Sequence, residues 1–103
     1  MQNVDLVKAF LRAQNLEQLG RTDEAIALYE DAIGHGFDAT GPYDRLISLY
    51  SNHARHQEVE RIAAAALENV HTHEQKREWY EQMREAAVKA AGEVPKAAPK
   101  RRA

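Results

Sequence analysis

The chain has 103 residues, no cysteine and a formal net charge of −2. That length suits a single domain with a buried core, and without cysteine neither disulfides nor thiolate metal sites can form. The longest uncharged apolar run, Ile62 to Leu67, is too short to cross a bilayer, and Asp5, Lys8 and Arg12 interrupt the stretch a signal peptide would need, so a soluble cytoplasmic protein is expected.

Five helices are predicted. Asn3 can cap the first, whose Val7, Phe10, Leu11 and Leu16 recur at helical spacing up to Gly20. Thr22 can cap the second, with Asp23 and Glu24 in its first turn favourable to the helix dipole and Gly34 and Gly36 ending it. Thr40 or Gly41 precedes Pro42, which can occupy the first position of a third helix at no cost, and Tyr43, Leu46, Ile47 and Tyr50 form its apolar stripe. The fourth spans roughly Gln57 to Asn69, with Val59, Ile62, Ala63, Ala66, Leu67 and Val70 inward. Thr72-His-Glu-Gln75 reads as a capping box for the fifth, whose inner face is Trp79, Tyr80, Met83, Ala87 and Val88. Trp79 is its expected core anchor. Gly92 is the expected end, because Pro95 and Pro99 follow and residues 93–103 carry Glu93 against Lys96, Lys100, Arg101 and Arg102. That composition predicts a disordered basic tail of net charge +3, leaving about −5 on the rest.

A 34-residue register runs through the chain. Gly20 pairs with Ala54, Arg21 with Arg55, Glu24 with Glu58, Ala25 with Val59 and Ala32 with Ala66, while Ala13 and Ile47, Leu16 and Tyr50, and Leu28 and Ile62 match in apolar character. This register, and the run from Gly20 to Ile33 with small Ala25 and Ala32 and aromatic Tyr29, resemble the tetratricopeptide repeat family. The second copy departs from the family at Ala54, Val59 and Ala63, and Phe37 and His71 stand where its closing prolines usually fall. Gly36-Phe-Asp38 with Pro42 to Leu46 is similar to a linker in small bacterial members. The resemblance implies an all-α, right-handed stack of antiparallel helix pairs: repeats at about 5–38 and 39–72, a capping helix at 73–92, and a domain covering 1–92. A terminal helix is required because a repeat stack exposes an apolar face at each end.

Catalytic chemistry finds no footing. His53 with His56 and His71 with His73 lack both a one-face arrangement and a third ligand. Gly34-His-Gly36 lacks the lysine and preceding strand of a phosphate loop, and the carboxylates follow solvated helix faces. No enzyme activity and no cofactor are expected.

In the tetratricopeptide family the first helix of each repeat lines a concave groove for a peptide or partner helix. The resemblance places those positions at Phe10, Gln14, Glu17 and Gln18, and at Asp44, Arg45, Ser48, Ser51 and Asn52, with Gln82 and Glu85 adjoining. The amides and hydroxyls can bond an extended backbone, Glu17 and Asp44 would favour a basic side chain, and Arg45 is the expected anchor for a carboxylate. The lysine and asparagine set with which some members capture a C-terminal carboxylate is missing, since Phe10, Gln14 and Ser48 stand there. The expected partner is a protein or peptide. The alternatives are a homo-oligomer formed through Val4, Leu6 and Phe10 or through helix five, and nucleic-acid contact through the tail. The acidic body and the lack of aromatics among the basic residues argue against nucleic acid.

Overall fold

The computed structural model describes the backbone of residues 3–71 and 73–101 and the side chains of residues 5–71 and 73–92. Five helices, and no strand among the described residues, follow in the order α1 (Asn3–Gln18), α2 (Thr22–Gly34), α3 (Thr40–Asn52), α4 (His56–Asn69) and α5 (Glu74–Arg101). Each helix packs mainly on the next in sequence, so the molecule is a linear series from α1 to α5. Among the described residues no helix is long and apolar enough to cross a membrane.

The 34-residue register reappears in backbone geometry. In the α1–α2 turn the N–H of Gly20 donates to Glu17 O at 3.0 Å and that of Arg21 to Leu16 O at 2.9 Å. In the α3–α4 turn Ala54 donates to Ser51 O at 3.0 Å and Arg55 to Tyr50 O at 2.9 Å. Arg21 and Arg55 occupy the N-cap positions at φ −91° in both cases, and each pairs with the glutamate three residues on, Glu24 or Glu58. The expected Thr22 cap is therefore corrected. The turn's own backbone bonds fix the entry into α2, and no side chain caps it. Gly20 sits at φ 81° and Ala54 at φ 57°, so the second turn asks an alanine to take the left-handed conformation that glycine adopts freely.

Other boundaries move for local reasons. α3 begins at Thr40, two residues before Pro42, where the N–H that proline lacks would have had no partner inside the helix. α4 begins at His56, one residue before the expected Gln57. Thr72, the first residue of the expected capping box, lies outside the described residues. α5 continues past Gly92 to Arg101 rather than ending there. A proline within a helix removes one bond and clashes with the preceding turn without forbidding helical φ, and the alanines, lysines and glutamate around Pro95 and Pro99 favour helix. The tail's side chains, and residues 102–103, lie outside the described residues.

The core joins Ala13 and Leu16 of α1, Ala25, Tyr29 and Ile33 of α2, the whole expected α3 stripe with Leu49, most of the expected α4 face, and Tyr80 and Ala87 of α5. A smaller cluster of Leu6, Ala32 and Phe37 is bridged to it by Phe10. Two expected faces are rotated. On α1 the inward residues are Leu6, Ala13 and Leu16, whereas Val7 and Leu11 are exposed; on α5, Val88 is exposed beside buried Ala87. Trp79 is only half-buried, its ring covered on one side by the Lys76 ammonium 4.1 Å from its centroid. Tyr80 takes the anchoring position.

Ala54→Gly should raise stability by about 1 kcal/mol by relieving the left-handed alanine, and Gly20→Ala should lower it similarly, both read as shifts in the urea midpoint. Tyr80→Ala should cost about 3–5 kcal/mol. Trp79→Ala should cost clearly less in the same assay, and an equal cost would contradict the assignment of Tyr80 as the anchor.

Candidate functional site

All four tyrosines are buried, and each hydroxyl finds an acceptor. Three of them donate to a carboxylate on another helix, and each carboxylate is also held by a cation. Tyr29 of α2 donates to Glu17 Oε1 of α1 at 2.8 Å, and Arg45 of α3 grips the same carboxylate through Nε, at 3.2 Å, and Nη2. Tyr50 of α3 donates to Glu30 of α2, and Arg61 of α4 binds both Glu30 oxygens, at 3.1 and 2.6 Å. Tyr80 of α5 donates to Asp44 Oδ1 of α3 at 2.9 Å, and Lys76 lies 3.2 Å from Oδ2.

These contacts shift titration in the directions expected of them. The Arg45 hydrogen bonds hold the Glu17 carboxyl below its ordinary value against the opposing effect of burial, with Tyr29 assisting. Burial opposes ionisation of Glu30, but Arg61 and Tyr50 outweigh it, and the net shift is again downward. Burial, and then the Glu30 carboxylate, push the Tyr50 phenol up to about 12, and burial likewise raises Tyr29, Tyr43 and Tyr80.

Of the nine groove positions, Gln14, Glu17, Gln18 and Arg45 meet around one open cavity of about 250 Å3 between α1 and α3. Their roles differ from expectation. Arg45 is already committed to Glu17, and Asp44 to Tyr80 and Lys76, so neither a free carboxylate anchor nor a free acidic pair is presented. The pairings link residues on different helices, 28 and 32 or more positions apart, and no local spacing announces them. Phe10 faces the interior: its ring lies 5.9 Å from that of Tyr29, and a Cβ on Gly41 would come within 2.4 Å of its Cζ. Ser48 is half-buried, while Ser51 and Asn52 are exposed at the end of α3. The expected self-association residues fare similarly, since Leu6 is buried and the Val4 side chain lies outside the described residues.

What the sequence reading missed is an exposed apolar extension of the amide pair. Val7 and Leu11 are 43% and 52% exposed, and with Gln14 and Gln18 they follow i, i+4, i+7, i+11 along one stripe of α1. Apolar residues at that spacing fit a core stripe equally well, so local periodicity does not distinguish this exposed stripe from a buried one. Among the described residues no group of three or more potential ligands could hold a metal. His53 instead lies with Nδ1 2.9 Å from Leu49 O, as His35 does with Asp31 O at 2.8 Å, each closing the end of its helix.

Compared with protein-family models, curated proteins and solved structures, the chain matches none.

Because Glu17 and Glu30 titrate lower in the native state than in the unfolded chain, their stabilisation is complete above the ordinary carboxyl value of about 4.5 and is lost as pH falls through the native values. The urea midpoint should therefore drop below pH 4.5. A Glu17→Gln, Glu30→Gln variant should start lower at pH 7 and show a shallower acid slope, and an unchanged slope would remove these two groups from the acid transition.

Proposed function

We propose that this protein is a non-catalytic interaction module of tetratricopeptide-like, right-handed stacking that holds a protein segment along α1 and α3, in the cytoplasm. The observation that carries the reading is the convergence of Gln14, Gln18 and the Glu17–Arg45 pair from two helices on one cavity, continued along α1 by exposed Val7 and Leu11. Two amides offer both donors and acceptors to a peptide backbone, and the adjoining apolar stripe offers burial worth about 25 cal/mol per Å2 covered. The ion pair that lines the cavity is internally neutralised, so it selects little by charge. The segment that fits is thus an apolar-polar one, extended or helical, rather than a strongly acidic or basic tract. The repeated turn geometry and the linear order of helix contacts support the stacking.

The test is a Leu11→Asp, Gln14→Ala variant, in which both side chains point away from the core and the helical circular dichroism should match wild type. A partner captured by wild type from a bacterial lysate should then bind the variant at least about tenfold more weakly, a change of roughly 1.4 kcal/mol. Equal affinity would move binding off this face.

A further inference from the structure

Gly41 is the one glycine of the chain whose missing side chain leaves room that another element fills. A Cβ built there would lie 2.7 Å from Phe10 Cε1 and 3.0 Å from Phe10 Cε2, closer than carbon atoms pack. At Gly20, Gly34 and Gly92 a Cβ would meet nothing within 4 Å, and at Gly36 only Asn69 Oδ1 at an ordinary 3.8 Å. Gly41 is not among the residues at positive φ, and it lies in the first turn of α3, where alanine would favour the helix by up to about 1 kcal/mol. Neither backbone conformation nor helix propensity calls for glycine here; the space taken by the Phe10 ring does. The ring has little freedom to yield. It lies 5.9 Å from the Tyr29 ring and packs against both the main core and the cluster of Leu6, Ala32 and Phe37, so swinging it outward would expose apolar surface.

Gly41 and Arg45 are i, i+4 on α3, and Phe10, Gln14 and Glu17 are i, i+4, i+7 on α1. The Phe10–Gly41 contact and the Glu17–Arg45 ion pair are therefore successive rungs between the same two faces. The cavity lined by Gln14, Glu17, Gln18 and Arg45 opens beside the second rung. Because each helix packs mainly on its neighbours in sequence, the separation of α1 and α3 at this cavity depends on the side chains that bridge them. We propose that the Phe10–Gly41 contact is the spacer that sets this separation, which makes Phe10 and Gly41 positioning residues of the α1–α3 binding site. The helices approach until the ring edge meets bare backbone, and at that distance Arg45 reaches both Glu17 oxygens with Gln14 and Gln18 beside them. Their role in binding rests on the proposed peptide site; their role in spacing does not.

An added Cβ at Gly41 pushes α3 from α1 and stretches the Glu17–Arg45 bonds. Carbon-detected NMR titration of Gly41→Ala should therefore show Glu17, faced by Arg45 and Tyr29, moved up from its lowered value toward the ordinary 4.5. Glu30, held by Tyr50 near the other end of α3 and by Arg61 of α4, should stay lowered. Adding Phe10→Leu, which removes the far ring atoms, should restore the lowered Glu17. In urea, Gly41→Ala should lower the midpoint in the wild-type background and raise it in the Phe10→Leu background, where helix propensity alone acts. That sign reversal is readable even where Gly41→Ala alone is too unstable to titrate. An unmoved Glu17 in folded Gly41→Ala, a parallel rise of Glu30, or the same sign in both backgrounds overturns the inference. A partner captured by wild type should bind Gly41→Ala about tenfold more weakly and the double variant as wild type. Unchanged affinity beside a shifted Glu17 supports the spacer and overturns the peptide site alone.

Discussion

Four phenols buried in a chain of 103 residues impose the constraint around which the rest is arranged. A tyrosine ring fills a large part of a small core, yet its hydroxyl must keep a partner, because an unpaired buried polar group costs about 1–3 kcal/mol. Here three of those hydroxyls become fasteners between helices. Each reaches a carboxylate at the edge of the core, and each carboxylate would be costly to desolvate without the arginine or lysine that also meets it. Hydroxyl, carboxylate and cation together join α1, α2 and α3, then α2, α3 and α4, then α3 and α5. No buried side-chain nitrogen or oxygen among the described residues is left without a partner.

That arrangement explains why the expected groove is less charged than its residue types suggest. Arg45, Glu17 and Asp44 are drawn inward by the tyrosines beneath them, and the surface left to a partner is made of amides, hydroxyls and two exposed apolar side chains.

The loops between elements are tied by equally specific contacts. Tyr43 donates to Phe37 O at 2.8 Å and His71 N–H to Asp38 Oδ1 at 2.8 Å, joining the α2–α3 and α4–α5 connections. Arg77 reaches back from α5 to Leu67 O at 2.7 Å, meeting one of the carbonyls that the end of α4 would otherwise leave open. The helix series is therefore held at its turns as well as through its core.

The sequence by itself determined the number and order of helices, the apolar stripes of α3 and α4, and the 34-residue register, since these follow from local periodicity and from turn residues whose conformational preferences act within a few positions. It also named four residues that do share a cavity, Gln14, Glu17, Gln18 and Arg45. Only the tertiary structure decided which way α1 and α5 face, because Leu6 and Val7, or Ala87 and Val88, are adjacent apolar residues and a rotation of about 100° exchanges them. The partners of Arg45, Asp44 and Glu30 were decided there as well. An ion pair between helices depends on how those helices pack, and packing is a property of the assembled core rather than of any one segment.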